Sequence, residues 1–332
     1  MLEVALVRPR TLSEVFALDL PGTTAYALAG MRRATLVLLA FTTACTVQGN
    51  FSTDAAGTDP EFPYPPPRTN VVAPLGSEAT LEIATWNIEN FPANSATASV
   101  VADVITSLDL DVIVVEEIAS EEAWKELLLR LRDHDGLLSE HRYTPTDYQK
   151  IGVIYRKSLV TVGTPELLFV QDDFTFPRPP FALNVTIDGA PIELIGVHLK
   201  AGVQFEDAAR RRDAVVALDG FLRNQVDTGG EAEVVLLGDY NERVIEVDDR
   251  AVLAPLLTAP DRYTMRTEPM AVAGGVSFLG FGGTMIDHIT TTAALDARWT
   301  TARIEVPRID SALLGYRDQV SDHLPVVLIA PR

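Results

Sequence analysis

The chain alternates short apolar runs with polar stretches, and the runs have strand length. Leu81 to Trp86 alternates in the period-2 manner of a half-buried strand, and Asn87 to Pro92 reads as the loop that leaves it. Asp111 to Val115, Ile151 to Tyr155 and Val234 to Leu237 are continuous apolar runs, as expected of strands covered on both faces. Phe181 to Ile187 and Ile192 to Val197 flank Asp188-Gly189 and predict a hairpin. A last run, Leu324 to Ala330, is closed by Pro331. Between these lie segments of helical period. Val101, Val104, Ile105 and Leu108 share one face, as do Trp124, Leu127, Leu128 and Leu131. Ser120 caps the second of these helices, with Glu121 and Glu122 in its first turn. Phe205 to Leu222 is a third, and it carries Arg210-Arg211-Arg212, which reads as a solvated face. After Gly136 the pattern reads as loop. Helices are interleaved without simple βαβ alternation, so the α/β pattern predicts two mixed β-sheets stacked as a sandwich, flanked by helices.

The amino-terminal region differs. Met31-Arg32-Arg33 is followed by eleven uncharged residues, Ala34 to Ala44, and then Cys45. A charged start, a short apolar core and a small residue before a cut are the layout of an export signal. The apolar core is too short to span a bilayer, which takes roughly 20 residues. Cleavage before Cys45 resembles bacterial lipoprotein processing, in which that cysteine carries the lipid, although Thr42 departs from the usual leucine. An ordinary secretion signal and a chance apolar segment are the alternatives. Residues 1–45 therefore read as an upstream extension plus a signal. Residues 46–78 are rich in Gly and Pro and read as an extended tether. Residues 79–332 read as one folded domain. The lipid would make the chain a membrane-anchored lipoprotein of a bacterial cell envelope; a plain signal would make it a secreted protein.

Charge narrows the partners. The 332 residues carry a net −19. Removing residues 1–45 takes away four basic and three acidic side chains, so the acidity belongs to the folded part. This argues against a protein that grips duplex nucleic acid by a basic surface, and leaves open an enzyme whose divalent ion meets the phosphate. Cys45 is the single cysteine, so no intrachain disulfide forms. Nothing in the pattern points to a protein partner.

The chemistry lies at the strand ends. Asn87 and Glu89, Glu116 and Glu117, His198, Asp239 and Asn241, Asp287, and Asp322 with His323 each follow or precede an apolar run. So many polar ends imply one site at one edge of the sandwich. Carboxylates, an amide and water suit a hard cation such as Mg²⁺, with Mn²⁺ or Ca²⁺ as alternatives. Zinc is disfavoured, because there is neither a thiolate cluster nor a close pair of histidines. Asp239-x-Asn241 can orient an attacking water, and two imidazoles can polarise a phosphate. The class of reaction is metal-assisted hydrolysis of a phosphate ester.

Six short motifs in order resemble the endonuclease/exonuclease/phosphatase superfamily. They are Trp86-Asn87-Ile88-Glu89-Asn90, Val115-Glu116-Glu117-Ile118, Gly196-Val197-His198-Leu199, Gly238-Asp239-Tyr240-Asn241, Ile286-Asp287-His288 and Ser321-Asp322-His323. The resemblance covers roughly residues 81–330 and implies a four-layered αββα sandwich. It implies that Asn87 and Glu117 belong to a metal site, with Glu117 the main ligand and Asp322 completing that side. By the same carry-over His198 contacts the scissile phosphate, Asp239 and Asn241 position or activate water, and Asp287 pairs with His323, a general acid/base or charge stabiliser. Arg178 resembles a phosphate-contacting arginine of secreted nucleases. Two positions depart from the family pattern. Glu116 stands where glutamine is usual, and either alters metal affinity or faces solvent. Tyr240 stands where an apolar residue is usual. Glu89 reads as a solvated loop acid, and His134, His141 and His288 as structural.

Three functions follow from this pattern. The first is an exported phosphodiesterase that cuts DNA or RNA. The second is a sphingomyelinase-like or inositol-phosphate hydrolase, with a phospholipid or soluble phosphoester as substrate. The third is a surface-anchored binding protein without catalysis.

Overall fold

The computed structural model describes residues 62–332 apart from residue 145. The signal segment, its Cys45 and the first part of the tether lie outside the described residues. In chain order the strands are β1 (Thr80–Phe91), β2 (Val112–Ile118), β3 (His134–Leu138), β4 (Lys150–Arg156), β5 (Val160–Val162), β6 (Glu166–Leu167), β7 (Phe181–Ile187), β8 (Ala190–His198), β9 (Val234–Asp239), β10 (Tyr263–Met265), β11 (Asp287–Thr292), β12 (Arg303–Glu305) and β13 (Val326–Pro331). The long helices are α1 (Thr97–Leu108), α2 (Glu121–Arg130) and α3 (Phe205–Asp227). One sheet runs β12-β13-β1-β2-β4-β3. The other runs β10-β11-β9-β8-β7-β5, with β6 also on β7. Each sheet has a single parallel pair at its centre, β1 with β2 and β8 with β9.

Strand alternation explains the four layers. Leu81, Ile83, Val112, Val114, Val326 and Leu328 pack in the core that also holds the second sheet. Their alternates Ala84, Trp86, Ile113, Val115, Val327 and Ile329 pack with α1 and α2. On the second sheet, Ala214, Val215, Leu218 and Leu222 of α3 cover the outer face. Each fully buried aliphatic side chain contributes about 1.5–3 kcal/mol, so both faces of each sheet are strongly held. This is the αββα sandwich. Among the described residues no helix is long and apolar enough to cross a membrane.

Several boundaries differ from the sequence reading. β1 does not stop at Trp86; it runs to Phe91 through Glu89 and Asn90, both at positive φ. The loop read after Gly136 begins only after Leu138, where β3 ends, and Gly136 leaves room for the Trp124 ring above that strand. α3 continues five residues past Leu222 to Asp227.

The later part of the tether is also not free. Arg68 pairs with Asp103 of α1 at 2.7 Å, Val71 N–H donates to Ser107 Oγ at 3.1 Å, and Leu75 N–H to Leu108 O at 3.0 Å. Arg130 lies over the Tyr64 ring. Proline fixes these residues in an extended form, and the extended form is laid along α1 and α2.

Candidate active site

Most of the strand-end residues meet at one edge because they sit on inward-facing positions. Asn87 is opposite Glu116 across β1–β2, and His198 is opposite Asp239 across β8–β9. Asp287 is opposite Asp239 across β9–β11. Residues paired across neighbouring strands share a face, so Asn87, His198, Asp239 and Asp287 project between the two sheets. Gly238 allows β8 and β9 to close up here, since a Cβ on it would fall 1.9 Å from the Val197 carbonyl oxygen.

Glu116 and Glu117 separate by the same logic. Alternation sends Glu116 inward, where it is wholly buried and accepts a hydrogen bond from Thr85 Oγ1 at 2.7 Å. Burial pushes its carboxyl well above the usual range, and the Asp287 and Asp239 charges add to this. It is therefore an interior acid, which corrects the solvent-facing reading of it. Continued alternation would turn Glu117 toward α1. Instead β2 has an irregularity between Val115 and Ile118, and Glu117 takes φ 63°. A bulge re-aims a side chain. Here it brings Glu117 Oε1 to 3.3 Å from Asn87 Nδ2 and 3.7 Å from His198 Nε2.

Asn87 holds carboxylates together. Its Oδ1 accepts Glu89 N–H at 3.0 Å, so its Nδ2 faces Glu117 and Asp239 Oδ2, the latter at 3.1 Å. That orientation gives the carboxylates of the expected metal site a donor. Glu89 was read as a solvated acid. Its Oε2 instead accepts Asp322 N–H at 2.9 Å. Burial raises its pKa, and the charges of Asp322 and Glu117 raise it further. Among the described residues no Lys or Arg pairs with Glu89, Glu117 or Asp322. Three mutually repelling carboxylates without a protein cation suit a divalent ion with oxygen ligands. A second convergence is Asp239, Asp287 and His323, whose ligand atoms lie within 4.8 Å of one another. Asp322 is not part of that buried trio; its Oδ1 is 3.7 Å from His323 Nε2.

The two histidines have opposite character. His323 Nδ1 is 2.9 Å from Asp287 Oδ2. Burial opposes its protonation, but the Asp287 carboxylate outweighs burial, helped by Asp239 and Asp322, and raises it to about 10. Its backbone is fixed on every side. Its N–H donates to Ser321 Oγ, which donates to Asn87 O, and its carbonyl accepts from Tyr316 Oη. Ser277 Oγ accepts Asp287 N–H at 3.2 Å, while the ring of the next residue, Phe278, lies 4.9 Å from that of His323, tilted by 46°. Ser277, Ser321 and Tyr316 were not singled out in the sequence; only the Ser-Asp-His motif hinted at Ser321. His198 is equally buried, but burial holds its imidazole well below the usual range, and the Arg178 and His323 charges act the same way. Its Nε2 lies 3.7 Å from Asp239 Oδ2, and its buried Nδ1 has no partner among the described residues.

Asp239 Oδ1 accepts Asn241 N–H at 2.8 Å. Burial, then the Asp287 charge, raises Asp239 to about 7. Asn241 spends its Nδ2 on the Leu199 carbonyl at 3.2 Å, which leaves its Oδ1 for a water. Arg178 donates to Gln149 and has no acid partner among the described residues. His134 and His288 bond to backbone carbonyls, at Leu110 and Glu242, in keeping with structural roles. The triple arginine does not form one solvated face, because Arg211 is buried against Glu242.

Comparisons with known proteins agree with this geometry. The sequence profile of the Endonuclease/Exonuclease/phosphatase family matches residues 84–323. The chain belongs to this family. It is a phosphoric ester hydrolase by class, and the family works with divalent metals. No curated protein matches the sequence significantly. Among solved structures, truncated Caenorhabditis elegans TDP2 is similar at TM-score 0.58 and 14% identity, over 76% of this chain and 98% of that one. D. rerio TDP2 complexed with single-strand DNA product gives 0.56 and 15%, over 76% and 99%. The 3′ phosphatase NExo from Neisseria, bound to a product DNA hairpin, gives 0.55 and 18%, over 75% and 98%. At these identities the likeness is one of fold.

Proposed function

We propose that the chain is a divalent-cation-dependent phosphodiesterase that cuts nucleic acid. The observation that carries the reaction is the geometry of His323, whose Nδ1 is held by Asp287 Oδ2 at 2.9 Å with Asp239 Oδ2 4.0 Å beyond its Nε2. A divalent ion held by Glu117, with Glu89 and Asp322 beside it, would supply charge to the phosphate oxygens. Asp239 ionises near neutrality, so it can accept the proton of an attacking water that Asn241 Oδ1 orients. Neutral His198 donates Nε2–H to a phosphate oxygen. The His323 imidazolium meets the charge that develops on the phosphoryl group.

Nucleic acid is supported by the DNA-bound relatives and by Arg178, a guanidinium left without a carboxylate beside His198. Incubation of plasmid, single-stranded DNA and RNA with Mg²⁺, with and without chelator, tests this reading. Cutting that persists in excess chelator rejects the metal role.

A lipid or soluble phosphoester is the second reading, favoured by apolar side chains on loops and helix starts. Val203, Phe205, Val247 and Phe281 are each more than 80% exposed. Release of phosphocholine or inorganic phosphate with nucleic acid untouched selects it. We also propose that the chain is exported and anchored through Cys45, on the strength of the Met31–Cys45 pattern. Fatty-acid labelling that is equal in wild type and Cys45→Ala rejects the anchor.

A further inference from the structure

Arg211 is the middle member of three consecutive arginines on α3, yet it is only 5% exposed. Arg210 lies over the Phe174 ring and Arg212 stays outside near Asp213. Arg211 turns inward. Its Nε donates to Glu242 Oε2 at 2.9 Å, and its Nη1 donates to the carbonyls of Lys200 and Gly202, both at 2.9 Å. Glu242 is itself buried and directly follows Asn241. Its carbonyl is bonded to His288 Nε2 at 2.9 Å. Lys200 lies two residues past His198. One guanidinium therefore spans the loop after β8 and the loop after β9.

The seam it closes is continuous. Leu199 N–H donates to Asp239 O at 2.9 Å, and Asn241 Nδ2 returns to Leu199 O. Gly202 sits at φ +121°, where a Cβ would fall 2.2 Å from Asp207 Oδ2, so this loop is built tightly onto the start of α3. A buried ion pair of this kind is a poor source of stability, because desolvation offsets its attraction. What the planar fork supplies is geometry: several donors in fixed directions, which a lysine cannot reproduce.

We propose that Arg211 is a positioning residue that fixes Asn241 and Asp239 relative to His198; its effect on rate rests on the hydrolase reading above. Displacement of such groups by about 1 Å costs roughly 100-fold in rate.

The test uses the full chain with Arg211→Lys, Arg211→Ala and the double replacement Arg211→Met/Glu242→Leu. Amide exchange is followed by mass spectrometry, and kcat and KM are measured on bis(p-nitrophenyl) phosphate with Mg²⁺. In the double variant, exchange in residues 199–203 and 240–244 should rise about tenfold or more while β1 and β13 are unchanged. Its kcat should fall about 100-fold with KM nearly constant. Guanidinium ion at low millimolar concentration should restore part of kcat to Arg211→Ala and none to the double variant. A folded double variant with wild-type loop exchange and wild-type kcat overturns the proposal. If the double variant does not fold, Arg211→Lys carries both readouts. If wild type turns over no phosphoester, the hydrolase reading fails, and exchange in the two loops still decides whether Arg211 ties them.

Discussion

The two ends of the β1–β2 pair solve the same problem in opposite ways. At their starting ends, Arg156 donates to Asp111 and to Asp109, each at 2.7 Å, and caps the Leu110 carbonyl. At their finishing ends Glu89, Glu117 and Asp322 gather without a Lys or Arg partner among the described residues, beside the buried Asp239. The backbone differs too. Glu89, Asn90, Glu117 and Asn241 all take positive φ at the finishing end, a conformation that non-glycine residues adopt at a cost of about 1–3 kcal/mol. At the starting end Asp109 does so, as the ordinary left-handed cap of α1. One end keeps a protein cation, Arg156, among its acids and serves the fold. The other is left open, at a cost in stability that only a bound cation or substrate can recover.

Replacing His323 by Ala, or Asp287 by Asn, strikes the open end hardest. Phosphodiester cleavage should fall about 10²–10⁴-fold, and stability should fall as well, by about 3–5 kcal/mol, because one partner of a buried pair is left alone; an active His323→Ala enzyme would remove the dyad from the reaction. Metal binding separates the two ends next. Saturating Mg²⁺ at about 100 times its Kd should stabilise the wild type by about 2.7 kcal/mol, read as a shift in thermal melting. Glu117→Gln should lose that gain while melting no lower than wild type in chelator, because it removes one repelling charge. A full Mg²⁺ shift in Glu117→Gln would place the ion elsewhere.

Arg156→Ala should do the reverse. Denaturant unfolding should show a loss of about 1–3 kcal/mol, with kcat unchanged; a drop in kcat would mean that the ends are not independent. The smallest effect is on pH. Burial, with Asp111 adding, raises Glu82 from 4.5 to about 7 at the Arg156 end. The native state then holds this proton more tightly than the unfolded chain. Its contribution is full below about pH 4.5 and is lost as pH rises through about 7. Glu82→Gln should flatten that slope by about 1 kcal/mol once solvent screening is allowed for. An unchanged slope would assign it to other groups.

Much of this was readable before any coordinates. The apolar runs identified the long strands, and their polar ends named nearly every residue now found at the edge. The reasons for the misses are physical. β5, β6, β10 and β12 have two or three residues each and are too short to show a period. Residues 62–78 have the composition of a tether, but composition does not reveal that Asp103, Ser107 and Leu108 offer partners along α1. Glu89 and Arg211 looked like solvated charges, because sequence reports the charge and not which way a backbone turns it.

By itself, then, the sequence determined two mixed sheets flanked by helices, since period-2 and period-3.6 burial set the elements, and it placed acids, amides and imidazoles at the strand ends. Tertiary structure decided which neighbour serves which purpose. It buried Glu116 between the sheets and swung Glu117 into the site through one positive φ. It tied His323 to Asp287 rather than to the adjacent Asp322. Those choices depend on backbone turns and on contacts between residues far apart in the chain, which no local pattern encodes.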